Sequence, residues 1–337
     1  GYNKQEGVVR NGDYERFTAR LNQELKVSER VKIGGDISGS YWNMNPTNVT
    51  LTNALWSAPI VGVQYDENTF YGMPSFQRAQ VGNVMSTLNR LDGTSIPRGY
   101  RFVGSLFAEV KIMEGLKWKS TVYTDLGFNN SRGYSPLAAR FIYLGENAGE
   151  DTFFQDDRVF TSVSQKSEEF RRFQQDHTLT WDKSFNEDHR LTAVGGFTTV
   201  FNDNTALEGS RRDTSTNVPP NSDFWYLDII NQDSNPKGNY SGRGSKNTVV
   251  GAFARASYAY KNRYLLNATV RRDGSSKFAP KNRWGTFGSV GLGWVLSEEA
   301  FFQNIEKINF MKLRFAWGKL GNQNGVPDNA YLPGLVN

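Results

Sequence analysis

Apolar and polar residues alternate one for one along much of this chain, most clearly over residues 248–318. In 250–260 one set of alternate positions holds Val250, Ala252, Ala254, Ala256, Tyr258 and Tyr260, and the other holds Gly251, Phe253, Arg255, Ser257 and Ala259. The next segment sets Tyr264, Leu266, Ala268 and Val270 against Leu265, Asn267, Thr269 and Arg271. Two more carry Val290, Leu292 and Trp294, then Met311, Leu313, Phe315 and Trp317, with Lys312 and Arg314 between apolar neighbours. Successive side chains of a strand point to opposite faces, so this period predicts β-strands with one apolar and one polar face.

Earlier segments repeat the device as hairpins. Phe17, Leu21, Leu25 and Val27 lead through Ser28-Glu29-Arg30 to Val31, Ile33, Ile37 and Tyr41. Pairing Val27 with Val31 sets Leu25 opposite Ile33 and Leu21 opposite Ile37, and a one-residue slip would put every side chain on the wrong face. Phe102, Leu106, Val110 and Ile112 lead through Met113-Glu114-Gly115 to Leu116, Trp118, Val122, Leu126 and Phe128. Gly115 takes the left-handed position that a three-residue hairpin loop places last, and Glu109 then faces Lys119. A more polar strand over 170–181 and another over 191–201 follow.

Between these segments the connections alternate. Residues 42–99, 129–166 and 202–247 read as long loops rich in Asn, Gly, Asp and Pro; 28–30, 113–115, 184–188 and 261–263 read as tight turns. Residues 272–283 read as a loop of middling length and 297–309 as a short helix, which interrupts the alternation. The expectation is about ten antiparallel strands with short turns at one rim and long loops at the other. Transmembrane barrels have that asymmetry, and stripes of about 9–11 residues suit a tilted strand crossing a bilayer. Soluble sandwiches use strands of about 5–6 residues, and a soluble β-fold is the alternative.

Composition narrows the picture. The 337 residues are 38% hydrophobic and 14% aromatic, too aromatic for a disordered chain. No apolar run reaches the ~18 residues of a membrane helix. A net charge of +5, from 39 basic and 34 acidic residues of scattered sign, gives no nucleic-acid footprint. With no cysteine, disulfides and thiolate metal sites are excluded. Gly1 opens into polar sequence without a signal peptide or initiating Met, so the chain reads as an internal piece of a longer one.

Catalytic chemistry finds little support. His177 and His189 cannot build a three-histidine zinc site and read as rim or turn residues. Gly285, Gly288, Gly291 and Gly293 lack the Gly-Lys-Ser/Thr of a phosphate loop and read as relief of crowding in a strand. No base–nucleophile or paired-carboxylate constellation emerges, so the chain is not expected to be an enzyme. No cofactor is expected; a loop calcium ion, at Asp66-Glu67 or Asp156-Asp157, is the one candidate, and neither has EF-hand spacing. Loops on a rigid scaffold carry binding, so the candidate substrate contacts are Trp56, Trp225, Tyr226 and Tyr240, aromatics among amides and charges. Packing within the loops or anchoring at the membrane interface is the competing role for these rings, and Trp42 and Trp284, beside strand ends, are assigned to that interface girdle.

Several stretches resemble SusC/RagA-family TonB-linked outer-membrane proteins of Bacteroidetes. They are Asn267-Ala268-Thr269-Val270-Arg271-Arg272-Asp273-Gly274-Ser275-Ser276-Lys277-Phe278, Phe287-Gly288-Ser289-Val290-Gly291-Leu292-Gly293-Trp294 with Ser297-Glu298-Glu299, and 312–323 from Lys312 to Gln323. Asp13-Tyr14-Glu15-Arg16-Phe17 and Glu114-Gly115-Leu116-Lys117 are fainter echoes, and Gly288 stands where the family often has Pro. The resemblance implies about ten of twenty-two strands of a transmembrane barrel, residues 1–337 being its central portion without the plug domain or the C-terminal strands. It implies an outer-membrane importer of oligosaccharides or peptides, working under a SusD-like surface lipoprotein and driven by the TonB complex. Arg255, Arg271, Lys312 and Arg314 would then face the lumen or the plug. A passive porin and a soluble extracellular carbohydrate-binding β-domain are the alternatives. An open sheet of ten strands leaves two unpaired edges, so the chain is not expected to be stable by itself.

Overall fold

The computed structural model describes residues 1–10, 12–47, 49, 51–147, 149–212, 218–230, 237–302, 308–328 and 330–331. Along the chain run β1 (Tyr2–Glu6), β2 (Asp13–Lys26), β3 (Val31–Asn45), α1 (Leu51–Trp56), β4 (Thr69–Tyr71), α2 (Val84–Leu91), β5 (Arg98–Met113) and β6 (Leu116–Ser135). Then come β7 (Arg140–Asn147), β8 (Glu150–Gln155), β9 (Ser162–Phe185), β10 (His189–Arg212), β11 (Lys237–Tyr260), β12 (Tyr264–Ser275), β13 (Trp284–Val295) and β14 (Lys312–Gly318). Among the described residues no helix is long and apolar enough to cross a membrane, which says nothing of a β-barrel.

Eleven strands make one sheet in the order β1-β2-β3-β5-β6-β9-β10-β11-β12-β13-β14, each antiparallel to its neighbours. The registers follow from the apolar parity: Leu25 pairs with Ile33, Leu21 with Ile37, and Glu109 with Lys119. Gly115 has φ 75°, the left-handed value its turn requires. At the short rim each turn also bonds to the neighbouring strand or turn, Asp182 N–H donating to Gly115 O at 2.7 Å and Lys261 N–H to Asp188 O at 2.7 Å. Such bonds close the turns into one continuous hydrogen-bonded edge.

The apolar face, called the outer face below, is exposed across the whole sheet: Phe17, Leu21, Leu106, Val122, Val270, Leu292 and Phe315 all lie open. Aromatic rows bound it. At the short rim Phe185, His189, Tyr260, Tyr264 and Trp294 stand in one register row, with rings 4.8 Å apart at His189–Tyr260 and 6.1 Å at Tyr260–Tyr264. Toward the long rim Tyr2, Phe17, Tyr41, Tyr100 and Phe128 form a second row, with centroids 4.8 Å apart at Tyr2–Phe17 and 5.0 Å at Tyr41–Tyr100. An exposed apolar band between two aromatic girdles is the surface that a bilayer covers. Trp284 stands on this face, with the Arg272 guanidinium 5.4 Å from its ring.

Three expectations change. β9, β10 and β11 run 24 residues each, twice the length of β12 and β13, so much of 129–166 and 202–247 is strand and not loop. Those outer halves are polar on both faces, as for a ladder standing in water, so the alternation that marks a half-buried strand is absent there. β1, Tyr-Asn-Lys-Gln-Glu, was hidden for the same reason. Of the helix expected over 297–309, the structure has a single 3-10 turn at Leu296–Glu298, and 303–307 lie outside the described residues.

The buried apolar residues lie mostly in the connections. β4, β7 and β8 form a small second sheet joining the β3–β5 and β6–β9 connections, with Phe70 and Ile142 buried in it. Asn83, 4% exposed, ties this cap together. Its Oδ1 caps α2 by accepting from Met85 N at 3.0 Å and Ser86 N at 3.1 Å, while its Nδ2 donates to Val63 O and Tyr71 O at 2.7 and 2.9 Å. Every polar group of that buried amide has work.

Candidate functional site

The inner face of the sheet carries a lattice of charged and amide side chains fixed by the same parity that puts apolar groups outside. Arg20 forks onto Asp36, to which Asn22 also donates at 3.2 Å. Arg101 grips Asp125 through two bonds of 2.9 and 2.7 Å, and Asp125 is 5% exposed. Arg172 donates to Gln174 at 3.0 Å, Gln174 to Asp176 at 2.7 Å, and Thr198 to Asp176. Asn202 bonds Asn247 at 2.9 Å, Asn247 bonds Asp328 at 3.4 Å, and Lys277 pairs with Asp328 at 3.5 Å. These groups satisfy one another sideways along the wall. Such a face suits water and polar solutes, and holds its donors and acceptors in fixed positions.

Above the level of the upper girdle this face opens into a cavity of ≈ 320 Å³ between β6, β9, β10 and β11, lined among others by Asn129, Glu168, Phe170, Asn204, Arg243 and Ser245. Glu168 is shared by Lys166 at 2.8 Å and Arg243 at 3.5 Å. Trp42 lies in the same register row as Asn129 and Glu168, and stacks on Tyr14 at 6.3 Å. Trp42 was expected in the outer girdle; the structure puts it on the inner face, because it follows the outward Tyr41 by one residue. The aromatic-plus-amide character sought in the loops is therefore found on the wall. The readable signal was the odd-numbered stripe Val31, Ile33, Ile37 and Tyr41, which leaves residue 42 inside.

The four basic candidates share the inner face. Arg255 pairs in register with Thr269 and is exposed; Lys312 and Arg314 pair with Val295 and Gly293 near the short rim. Arg271 is tied to Asp273 at 2.7 Å and lies 5.9 Å over the Phe253 ring, so its charge is spent along the wall.

The four aromatic candidates do not come together around the lumen. Trp225 is 2% exposed: it stacks on Tyr134 at 5.5 Å and packs with Val163, Val218 and Ile230, its Nε1 donating to Pro219 O at 3.3 Å. Its ring offers no open face, so it holds the loop and contacts no solute in this conformation. Tyr226 and Tyr240 do line one cavity, but on the outer face of the wall, because Tyr240 shares the outward parity of Ala252 and Ala254. Trp56 ends α1, exposed, with its carbonyl accepting from Gln77 Nε2.

Neither histidine gathers ligands, and among the described residues no three His, Asp or Glu side chains converge. His189 is at the short rim, 2.6 Å from Tyr258 Oη. His177, expected at a rim or turn, sits in mid-strand on the outer face, stacked on Trp118 at 6.2 Å. Of the four glycines, a Cβ at Gly285 or Gly293 would press on Phe287 or on Lys312 and Leu265, whereas Gly288 and Gly291 have room. The acidic pairs serve their own turns. Asp156 is held below the usual carboxylate range by Arg158, at 2.9 Å, and Asp66 by the Asn68 amide, at 2.8 Å. At the short rim Glu299 accepts from Tyr264 Oη at 2.6 Å, Trp294 Nε1 at 2.9 Å and Arg263 at 2.9 Å, which lowers its pKa too.

No protein-family model matches the chain. Among curated proteins it is 28% identical over 332 residues to TonB-dependent receptor P26 of Formosa agariphila, covering 96% of this chain and 30% of the relative. It is 48% identical over 89 residues to TonB-dependent receptor SusC of Bacteroides thetaiotaomicron, 26% of this chain and 9% of that one. Among solved structures, the RagAB peptide importer in its "closed-closed" state superposes with a TM-score of 0.73 at 18% identity, over 97% of this chain and 35% of its own. The chain spans about a third of the length of receptor P26 and of the RagAB chain, both of which match it almost from end to end. The chain is thus similar, along almost its whole length, to part of a TonB-dependent receptor, and with its exposed apolar belt and polar inner wall it has the fold of an outer-membrane barrel wall such as that of RagAB.

Proposed function

We propose that residues 1–337 are the central wall of an importer for oligosaccharides or peptides, with the plug domain and the remaining strands supplied by the rest of the protein. A substrate is captured at the long rim under a SusD-like lipoprotein and released inward when the TonB complex pulls the plug. No bond is made or broken. The inner face does the binding work, with Asn129, Glu168, Phe170 and Arg243 presenting a ring, an amide and both charges to a polar solute. Below them Arg255, Arg271, Lys312 and Arg314 face the plug. The observation that carries the reading is the segregation of faces: a hydrogen-bonded polar lattice inside and an open apolar belt outside, with the aromatic and amide groups at the mouth.

The test is the subunit composition of the full-length protein, extracted gently from native membranes and weighed intact. A stoichiometric lipoprotein partner is expected. A bare barrel that conducts ions freely in a planar bilayer would overturn the importer and leave a passive porin.

A further inference from the structure

The described part of the third long connection, 218–230, lies on the outer face of the wall. Leu227 N–H donates to Gln165 Oε1 at 3.2 Å, Arg211 to Leu227 O at 3.2 Å, and Arg132 to Ser222 O at 3.4 Å. Gln165, Arg211 and Arg132 all share the outward parity of the belt residues Phe173, Phe201 and Phe128. Between this connection and the wall is a cavity of ≈ 510 Å³, to which Arg98, Asn130, Arg132, Leu207, Tyr226 and Tyr240 contribute.

Its height on the wall is set by the register. Arg98 pairs with Asn130 two residues beyond the Tyr100–Phe128 pair of the upper girdle, a step of about 7 Å along the strand. The cavity therefore begins where the lipid tails end and the headgroups start, on the side that lipid covers. Its charge is one-sided. Among the described residues Arg98 has no carboxylate partner, and Arg132 lies 4.7 Å over the Tyr226 ring with no acid beside it. Of the acids nearby, Glu169 is taken by Arg171, Asp203 by Lys246 at 3.6 Å and Glu15 by Lys4 at 4.0 Å, while Asp223 and Asp228 of the connection are exposed and do not line the cavity. Glu208 and Lys166, at the cavity's edge, belong by parity to the inner face.

We propose that this cavity binds the phosphorylated sugar headgroup of an outer-leaflet lipid. The Arg98 and Arg132 guanidiniums take the phosphate, and Tyr226, Tyr240 and Leu207 lie against the sugar and the root of the acyl chains. The planar fork of arginine matches phosphate oxygens, and uncompensated basic groups beside a lipid belt are where anionic headgroups collect. The cavity is continuous with the lipid-facing surface, which favours a lipid over a protein partner.

The experiment uses the full-length protein in mild detergent, titrated with monophosphorylated lipid A and with its phosphatase-treated counterpart, with bound lipid counted by native mass spectrometry. The wild type and Arg190→Gln, a basic change on the opposite face at the opposite rim, should hold the phosphorylated lipid and release the dephosphorylated one. R98Q/R132Q should hold the phosphorylated lipid roughly tenfold more weakly. Heat-modifiable migration on gels reports that the barrel is folded; if the double variant fails it, R98Q alone, at an exposed site, should still weaken binding about threefold. Equal retention by wild type and folded variants overturns the proposal, as does equal binding of both lipids by the wild type. Loss of a co-purifying protein with lipid binding unchanged would overturn it in favour of a protein-docking face.

Discussion

β9, β10 and β11 have two halves that differ in every respect except the ladder. Pairing between β10 and β11 runs unbroken from His189–Tyr260 to Arg212–Lys237. In the half nearer the short rim, the outward positions read Ala252, Ala254, Ala256 and Tyr258; in the far half of the same strand they read Tyr240, Gly242, Gly244 and Lys246. The hydrogen bonds are alike, so backbone pairing does not require alternation. Alternation reports the medium: lipid on one side and water on the other in the near half, water on both sides in the far half. A strand of 24 residues, about 80 Å at ~3.3 Å per residue, is far longer than any bilayer needs.

The comparison breaks if the two halves respond alike to removal of lipid. Produced alone in detergent-free buffer, residues 1–337 should give no soluble, cooperatively unfolding monomer, since the belt and the sheet edges at β1 and β14 stay open. A monomeric species with a single sharp denaturation transition would end that reading. Next in size is a charge placed outward. Val270→Arg, at mid-belt, should cost about 2–4 kcal/mol of stability in full-length protein unfolded from lipid. Thr205→Arg has the same parity in the far half, at an exposed position outside the cavity under residues 218–230, and should stay within about 0.5 kcal/mol. Equal losses at the two sites would mean that both halves meet the same solvent.

The inner face offers a gentler version of the contrast. Arg101→Met leaves the Asp125 carboxylate, 6% exposed, without its fork and should cost about 1–3 kcal/mol. Arg243→Met removes an 81% exposed partner of Glu168, which keeps Lys166, and should cost about 0–1 kcal/mol. Denaturant midpoints for both variants measure the difference, and a larger loss at Arg243 would contradict it.

The same contrast says which parts of the molecule were legible in its sequence. The near half was: Leu21–Ile37, Leu25–Ile33 and Glu109–Lys119 follow from parity, and Gly115 from its turn. The far half was not, because a strand wet on both faces has no hydrophobic period to read. Nor was the cap, whose order rests on one buried amide, Asn83, bonding backbone groups 12 and 20 residues away. Trp225 and Trp42 changed roles for a related reason. Composition marks a ring as a candidate contact, but only the register says which face of the wall it stands on.

The smallest effect belongs to the lower edge of the belt, at Glu299. Tyr264, Trp294 and Arg263 donate to its carboxylate and hold its pKa below the usual range. A folded-state pKa below the unfolded one means a contribution to stability that is present above the unfolded carboxylate's pKa. It is lost as the pH falls through the folded value, where protonation removes the charge that the three donors share. Glu299→Gln should therefore destabilise the full-length barrel slightly at neutral pH and progressively less as the solution is acidified, until wild type and variant unfold together. The far half of β9–β11 has no such anchor in the cavity it forms, since Glu168 already shares its charge between two exposed cations. Denaturant unfolding of both proteins across the acid range decides the point. A gap between them that stays constant with pH would show that the Glu299 carboxylate contributes shape alone, and that its charge has no part in fastening the Trp294 and Tyr264 rings at the membrane edge.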